Sequence, residues 1–561
     1  MTLLDWLQIL LYLGALTALS PLLAAYFARI FEERKPLPTL PLGWLERGIY
    51  RVSGIDETEE MPAGRYSARL LAFNAVGLVA LLAVLLFQRH LPLNPQKLPN
   101  VPFWLAVNTA VSFTTNTNWQ AYSGESTLSY GVQSFGLCVQ NFLSAATGMT
   151  VLLAFIRGIA RQTAKTLGNF WSDLVRSMVY VLLPLSLIWA FSLTSQGVVQ
   201  SWAPYPVAQT VTGGQQVIPL GPAASQIAIK QLGTNGGGFF GVNSAHPFEN
   251  PTPLSNFLEM LAILLIPSSL VLMAGRMVGD RRHGRMLWIV MMVLWVAVLS
   301  VALFDEFHSK GDSWLGMEGK EQRIGVASSI LWAESTTCAS NGSVNAMHSS
   351  LSPAAGGIAM LNMMLGEVIF GGVGVGLTGM LVFVLVTVFI AGLMVGRTPE
   401  YLGKKIESYD IKMAMIAVLA PNVMILAGSA LGVSTQAGLA GRSAAGPHGL
   451  SEILYAFTSA SANNGSAFAG LNANTNFYNI TLAVAMLSCR LAALLPIINI
   501  AGSLAAKQRI PVSAGTLRTD TTLFAFVLIG VVLIVGALSF FPALCLGPIL
   551  EQALLGLGRI F

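Results

Sequence analysis

Four short loops of this chain combine asparagine with a small or hydroxylated neighbour, and three of them add glycine. They read TNWQAY (117–122), TNGGGF (234–239), SNGSVN (340–345) and NNGSAF (463–468). Glycine tolerates positive φ and lets a backbone turn its carbonyl oxygens inward. A ring of such oxygens can replace the hydration shell of an alkali cation. The pattern therefore predicts a cation site built from main-chain oxygens.

The candidate ion-binding residues occupy equivalent places in the four loops. They are Thr117, Asn118 and Gln120 in the first loop, Thr234, Asn235 and Gly236 in the second, Asn341 and Gly342 in the third, and Asn463, Asn464 and Gly465 in the fourth. This alignment puts Trp119 in the glycine position of the first loop. A shifted alignment, with Asn116 opposite the other asparagines, is also open.

The predicted ion is monovalent. None of the four six-residue blocks contains a carboxylate, whereas sites for hard divalent cations usually recruit carboxylates. Potassium therefore fits better than calcium or magnesium, and on the residues alone sodium fits as well as potassium. The histidines and cysteines lack metal-ligand spacing, so no transition metal is predicted.

Each loop follows a moderately apolar stretch about as long as half a membrane. These stretches are 103–113, 223–232, 326–335 and 451–460. A half-helix that enters from outside points its C-terminal carbonyl end, which is the negative end of its dipole, toward the membrane centre. Four such ends favour a cation there.

The composition is that of a membrane protein. Of the 561 residues, 54% are hydrophobic and 10% charged, and the mean hydropathy is +0.65. Because a crossing needs about 20 apolar residues, we predict ten transmembrane helices. They lie near 4–28, 70–87, 131–155, 171–195, 254–274, 286–304, 355–395, 413–431, 480–504 and 523–541.

The predicted fold is an all-α polytopic membrane protein with four pseudo-symmetric repeats of helix, pore loop and helix around a central pore. An N-terminal helix and inner loop (1–66) precede the repeats, and a C-terminal helix (509–561) follows them. The repeats are 67–160, 161–280, 281–397, which has a broken second helix, and 398–508.

The basic residues predict the orientation. Five alternate loops hold 22 of the 31 lysines and arginines, and cytoplasmic loops retain such residues during insertion. Both termini and all four asparagine loops are therefore expected on the outer side. The net charge of +5 is read as this topology signal, so no nucleic-acid partner is predicted.

The seventh segment, 355–395, would span about 60 Å as one straight helix, roughly twice the hydrocarbon core. Two crossings would export the basic loop that follows, so we expect one crossing broken in its middle. Gly371, Gly372 and Gly374 supply breaking residues. Non-helical backbone survives at this depth only beside protein or water, which places the break beside the pore.

Two ionisable residues lie within apolar segments, Glu367 at the break and Arg490 in the ninth. Such residues cost roughly 2.5 to 3.5 kcal/mol on insertion scales and usually face the protein interior. We hypothesise that they pair below the filter. The alternative for Arg490 is that it snorkels to an interface or binds lipid.

The blocks TTNTNWQAYSGE from Thr114, GTNGGGFFGVNSAHPFENPTPLSN from Gly233, GEVIFGGVGVGL from Gly366 and NNGSAFAGL from Asn463 resemble the KdpA family. KdpA is the potassium-binding subunit of the bacterial potassium-transporting P-type ATPase. The resemblance implies that the chain selects potassium from outside and passes it to the P-type subunit KdpB, with the small subunits KdpC and KdpF. It also implies a bacterial inner-membrane location and a gating role for the break, to which we assign Arg397 as well.

The chain itself has no GxxxxGK[ST] phosphate loop and no DKTG sequence, so we expect that it does not hydrolyse ATP unaided. The resemblance implies a non-catalytic subunit whose transported ion is K⁺. The main alternative is a passive K⁺ or Na⁺ channel subunit with the same four repeats. A membrane enzyme would need a nucleophile, a metal set or a paired acid and base, and no such constellation is found.

Overall fold

The computed structural model describes residues 1–32, 42–309, 314–394, 396, 398–511 and 517–559. In that part of the chain, ten helices are long and apolar enough to cross a membrane. Spans 1 to 10 are Leu3–Glu32, Ala63–Leu86, Val132–Ala160, Phe170–Ser195, Pro253–Met277, Arg281–Ser309, Val375–Met394, Ser408–Ser434, Asn476–Ala506 and Thr522–Leu546. The ten predicted crossings are confirmed.

Four shorter helices precede the asparagine loops. Pore helices 1 to 4 are Phe103–Thr114, Ala223–Leu232, Val326–Cys338 and Gly446–Ala462. Each lies between two spans and ends where its loop begins, as the half-helix prediction requires. Their residues next to the loops are buried.

The seventh crossing is interrupted, as predicted. A helix over Pro353–Met364 leads into a non-helical break at 365–374, and span 7 begins at Val375. The Gly371 N–H donates to the Cys338 carbonyl at 3.2 Å, and the Val373 N–H donates to Thr234 Oγ1 at 2.9 Å. These bonds explain how irregular backbone is tolerated at this depth, and they tie the break to pore loops 2 and 3.

Glycine allows the break to pack directly on span 3. A Cβ atom added to Gly374 would lie 2.2 Å from the Gly148 carbonyl oxygen, and one added to Gly148 would lie 2.3 Å from the Val373 oxygen. Gly374 also has φ +83°, a conformation that side chains disfavour. Backbone therefore contacts backbone here, which fixes the break against a central helix.

Short elements connect the spans. The helices are Gly43–Ser53, Gly124–Thr127, Gln436–Leu439 and Pro548–Gly556, with 3₁₀ turns at Gln88–His90, Asn243–Ala245, Trp314–Met317 and His348–Ser350. Spans 3 and 4 contain π-helical turns at Val132–Cys138 and Ser177–Leu182. Strand Val207–Gln209 pairs antiparallel with Gln215–Val217, and Glu400–Tyr401 pairs antiparallel with Lys404–Lys405.

Lys404 joins the second hairpin to the ends of two spans. Its Nζ donates to the Gly158 carbonyl at 3.0 Å and to the Leu504 carbonyl at 2.5 Å. Both carbonyls lie near the C-terminal ends of spans 3 and 9, where a cation also meets the negative end of the helix dipole. Burial, helped by Arg509 and Lys507, lowers the pKa of Lys404 to about 8.

Spans 3 and 5 are the most buried of the ten, whereas spans 2 and 8 are the least buried. The apolar residues of spans 3 and 5, pore helices 2 and 3 and the break belong to one hydrophobic cluster. The central spans thus support the pore loops, and the peripheral spans offer apolar surface to lipid. The division into six segments stays a prediction.

Candidate cation-binding site

The backbone defines the register of the four loops. Positive φ recurs twice in each loop, two residues apart: at Asn116 and Asn118, Thr234 and Gly236, Ser340 and Gly342, and Asn463 and Gly465. The residue between each pair donates its N–H to the carbonyl five residues earlier. These bonds are Thr117 to Ser112, Asn235 to Lys230, Asn341 to Thr336 and Asn464 to Ser459. We call these four donors the middle residues.

This register corrects both sequence alignments of the first loop. Thr117 is equivalent to Asn235 and not to Thr234, and Asn118, not Trp119, stands in the glycine position. Asn116 is equivalent to Thr234, Ser340 and Asn463, so it aligns with one asparagine, Asn463, and not with Asn235, Asn341 or Asn464. The reason is that asparagine also tolerates positive φ, so the first loop reaches the same backbone shape without glycine.

The four loops form a closed ring. A Cβ atom added to Gly236 would lie 1.4 Å from the Asn341 oxygen, and one added to Gly342 would lie 2.3 Å from the Asn464 oxygen. A Cβ atom on Gly465 would lie 2.0 Å from the Thr117 oxygen. Each glycine thus packs on the middle carbonyl of the next loop, and the fourth loop returns to the first.

The middle carbonyls are available to a cation. Those of Thr117, Asn235, Asn341 and Asn464 accept no hydrogen bond from the residues that the structure describes, and all four residues are buried. Unpaired carbonyls are costly in a protein interior. A ring of four such oxygens, approached by the C-terminal ends of four pore helices, can coordinate a desolvated monovalent cation.

The asparagine side chains brace the ring. Asn341 Nδ2 donates to the Lys230 carbonyl at 3.2 Å, and Asn464 Nδ2 donates to the Thr336 carbonyl at 3.0 Å. Asn235 Nδ2 donates to Asn116 Oδ1 at 2.6 Å. Each of these bonds joins one loop to the preceding repeat. The predicted asparagines therefore position the carbonyls with their side chains.

Side chains of loops 1 and 4 form further hydrogen bonds that join loop 1 to its neighbours. Asn463 Nδ2 donates to Thr117 Oγ1 at 3.0 Å, which links loop 4 to loop 1. Gln120 links loop 1 to loop 2 twice, because its Nε2 donates to the Gly238 carbonyl at 3.0 Å and its Oε1 accepts from the Gly238 N–H at 2.9 Å. Asn118 Nδ2 donates to Asn141 Oδ1 of span 3 at 2.7 Å.

A charged network behind loop 2 was missed by the sequence analysis. Lys230 and Glu249 are fully buried and form an ion pair. Lys230 Nζ also donates to Asn243 Oδ1 at 2.8 Å, and Asn243 Nδ2 donates to the Gly236 carbonyl at 2.7 Å. The signal was available, because Lys230 is an ionisable residue within an apolar pore helix, as Glu367 is at the break.

A cavity of about 100 Å³ lies beneath the ring. Ser340 and Asn463 line it from the loops, Gly372 from the break, and Glu367 and Arg490 from the sides. A Cβ atom on Gly372 would lie 3.3 Å from Ser340 Cβ and 3.5 Å from Thr234 Oγ1. The break therefore packs directly against the inner side of the loops. Within the break, Gly371 has a positive φ of +63°.

The two intramembrane charges do not contact each other as hypothesised. Glu367 Oε1 instead accepts from Asn464 Nδ2 at 3.0 Å, and no ion pair joins Glu367 to Arg490 in the described part of the chain. Both residues line the same cavity. Arg397, predicted to act with the break, lies outside the described residues.

The spans and the ring define a class of membrane transporter fold. The chain is similar to the potassium transporter TrkH from Vibrio parahaemolyticus, with a TM-score of 0.54 over 88% of this chain and 96% of that chain. The sequence identity is 13%, so this likeness concerns the fold.

The particular family follows from sequence. The family model "KdpA: Potassium-transporting ATPase A subunit" matches residues 10–553, and the chain belongs to this family. It is 58% identical to the potassium-transporting ATPase potassium-binding subunit of Rhodospirillum centenum, over 99% of this chain and 98% of that protein. The same-named proteins of Sorangium cellulosum, covering 97% and 98%, and Pseudomonas aeruginosa, covering 98% and 99%, are 55% and 52% identical. The resemblance is confirmed.

Proposed function

We propose that this chain is the potassium-binding and translocating subunit of an ATP-driven uptake complex. The observation that carries the proposal is the closed ring of four buried middle carbonyls, those of Thr117, Asn235, Asn341 and Asn464. Main-chain oxygens suit an alkali cation. The names of the relatives specify potassium among such cations.

The ion route starts at the outer side of a bacterial inner membrane. The distribution of basic residues among the loops supports an orientation with the ring and both termini on that side. From the ring the ion enters the cavity, where the carboxyl group of Glu367 faces it beside Arg490. The break, through Gly371, Gly372 and Gly374, acts as the gate against leakage. The ion then passes to a P-type ATPase subunit, KdpB, in a complex with KdpC and KdpF, and this chain contributes no catalytic site.

The ring is tested by placing a carboxylate in it. Gly236→Asp puts a side chain where a Cβ atom would already lie 1.4 Å from the Asn341 oxygen. We expect the KM for K⁺ uptake to rise about tenfold or more, with weaker preference over Na⁺. Gly213→Asp is the matched control, because Gly213 also has positive φ but has open space around it. Its uptake should equal wild type.

Both variants are measured as the assembled complex in cells that lack other potassium uptake, with the amount of complex in the membrane determined in parallel. Gly236→Ala, a smaller change, keeps the test informative if the aspartate variant fails to assemble. If assembled Gly236 variants kept the wild-type KM and selectivity, the loops would not form the ion path.

The rival function, a passive K⁺ or Na⁺ channel subunit, differs in its energy requirement. Reconstituted complex should accumulate K⁺ against a gradient only with ATP, and the rate should follow ATP hydrolysis. Equal flux without ATP, down the gradient only, would favour the channel. Shortening the break at Gly371 and Gly372 should convert the pump into a leak; a variant that assembles and does not leak contradicts the gating role.

A further inference from the structure

A groove on the surface of the protein, separate from the cavity beneath the ring, combines positive charge with an apolar floor. It lies between span 1, the end of span 5 and the start of span 6, with a volume of about 490 Å³. Its lining residues are Thr17, Pro21, Leu272, Arg276, Arg281, Arg285, Trp288 and Ile289. Three of these eight residues are arginines, so the groove has a strong local charge.

The three guanidinium groups are available to an external anion. Arg281 and Arg285 are exposed, and among the described residues none of the three arginines forms an ion pair with an acid. The protein contact of Arg276 is a bond of 3.4 Å from Nη2 to the Pro21 carbonyl. Arg281 and Arg285 are four residues apart on one helix, so they share a face.

The floor of the groove continues that face into the apolar region. Trp288 and Ile289 follow Arg285 by three and four residues, about one helical turn deeper, and Leu272 faces them from span 5. An apolar wall beside arginines at the end of a span matches the two parts of a phospholipid, an anionic headgroup and an acyl chain. Tryptophan is typical of this interfacial level.

We propose that this groove binds an anionic phospholipid of the inner leaflet. Arg276, Arg281 and Arg285 bind the phosphate, for which the planar guanidinium is well suited, and an acyl chain lies along Leu272, Trp288 and Ile289. Basic pockets between transmembrane helices on the cytoplasmic side are recognised lipid headgroup sites. The charge excess and the membrane-facing position favour a lipid over a soluble anion.

The groove shares a wall with the break. The Trp288 ring packs edge-on against Phe370, with ring centroids 6.2 Å apart, and Trp288 Nε1 donates to Ser268 Oγ at 2.7 Å. Phe370 belongs to the non-helical segment next to the ring. A lipid in the groove therefore contacts the same tryptophan that supports the break.

The test compares the binding of two lipids by four forms of the assembled complex, the wild type and three variants. In detergent, the Tm of the wild-type complex is measured against added dioleoylphosphatidylglycerol and against dioleoylphosphatidylcholine, and bound lipid is counted by native mass spectrometry. Arg276→Gln/Arg281→Gln/Arg285→Gln removes the site. Arg282→Gln is the matched control, because Arg282 is exposed in the first turn of the same helix, span 6, but does not line the groove.

We expect the wild type and Arg282→Gln to bind phosphatidylglycerol, and the triple variant to bind it about tenfold or more weakly. Arg276→Lys/Arg281→Lys/Arg285→Lys keeps the positive charge that correct membrane insertion needs. It should bind phosphatidylglycerol with intermediate affinity. This variant therefore separates loss of the lipid site from incorrect insertion of the triple glutamine variant. The proposal is overturned if the wild type binds both lipids equally, or if Arg282→Gln loses as much phosphatidylglycerol binding as the triple glutamine variant. A structure of the complex with a partner helix in the groove would also overturn it.

Discussion

The second pore loop is supported differently from the other three. Five residues before each middle residue, repeats 1, 3 and 4 carry a hydroxyl side chain, whereas repeat 2 carries lysine; the residues are Ser112, Lys230, Thr336 and Ser459. Ser112 Oγ donates to the Trp119 carbonyl at 3.0 Å, and Ser459 Oγ accepts from the Gly465 N–H at 2.9 Å. These hydroxyl groups brace their own loops.

Lys230 instead reaches outside its loop. Glu249 Oε2 pairs with Lys230, and its Oε1 accepts from the Phe240 N–H at 2.8 Å. Asn243 Oδ1 accepts from Lys230 Nζ, and Asn243 Nδ2 donates to the Gly236 carbonyl, so the ion pair is linked to loop 2. The ring is thus close to fourfold in its backbone but not in what holds it. Symmetry at an ion site constrains the carbonyl positions and leaves their supports free to differ.

The largest effect that this difference predicts is on stability. Glu249→Gln leaves the Lys230 ammonium buried without its counter-ion, which should destabilise the fold by about 3 to 5 kcal/mol. The measurement is the Tm and the membrane yield of the complex. Glu321→Gln is the control, because its ion pair with Arg323 is exposed and is worth about 0 to 1 kcal/mol. Equal Tm values for the two variants would contradict a special role for repeat 2.

The second prediction concerns the neutral chain of bonds that supports loop 4. Ser466 Oγ donates to Asn464 Oδ1 at 2.6 Å, Tyr455 Oη bonds to Ser466 Oγ at 2.8 Å, and His348 Nδ1 bonds to Tyr455 Oη at 2.8 Å. Burial lowers the pKa of His348 from 6.5 to about 4. Unlike the support of loop 2, this chain ends on an uncharged imidazole.

Acid should therefore weaken the support of loop 4. Between pH 6.5 and about 4 the unfolded chain binds a proton at His348 that the folded chain does not, so stability is full above pH 6.5 and falls by roughly 3 kcal/mol toward pH 4. His348→Asn keeps a polar atom near the position of Nδ1 and should flatten the fall of Tm over this window. His90→Asn, at an exposed site, should not. An unchanged slope in His348→Asn would exclude this residue as the source.

Much of the fold was accessible from sequence, for reasons that these loops illustrate. The lengths of the apolar segments predicted the transmembrane spans. The positive charge of the loop that begins near residue 397 indicated a single broken crossing before it. Glycine at 236, 342 and 465 marked three places in the ring, because close approach of backbone excludes a Cβ atom there. Such features depend on local sequence, so they can be predicted from it.

The parts that were not predicted depend on backbone conformation and on side-chain contacts, which residue types alone do not reveal. The register of loop 1 follows from the hydrogen bond between Thr117 and Ser112 and from positive φ at Asn118, which residue identity does not reveal. Lys230 lies in pore helix 2, whereas its partner Glu249 lies 19 residues later, in the segment before span 5. The orientation of Glu367 toward Asn464, and not toward Arg490, depends on the shape of the cavity between spans.

A smaller effect is expected in repeat 4. Ser459→Ala removes the acceptor of the partly buried Gly465 N–H and should cost about 1 to 2 kcal/mol, with a modest rise in the KM for K⁺. Ser300→Ala is the matched control, because Ser300 is exposed on span 6 and bonds within its own helix. The measurements are Tm and uptake at low external K⁺. If Ser459→Ala lowered stability as much as Glu249→Gln, the supports of loops 2 and 4 would not differ in strength.

The smallest change in stability is expected when both charges of repeat 2 are removed. Lys230→Met/Glu249→Gln replaces the buried pair without leaving a lone charge, and such replacements are often nearly neutral, so Tm should return close to wild type. Asn243 Oδ1 would still accept from the Ser244 N–H at 2.8 Å but would lose the ammonium donor. The Gly236 carbonyl would then be held less firmly, and the KM for K⁺ should rise severalfold while the maximal rate is kept. Recovered stability with wild-type KM would show that the ion pair serves folding alone, and loop 2 would then be positioned, like the other loops, by its own backbone.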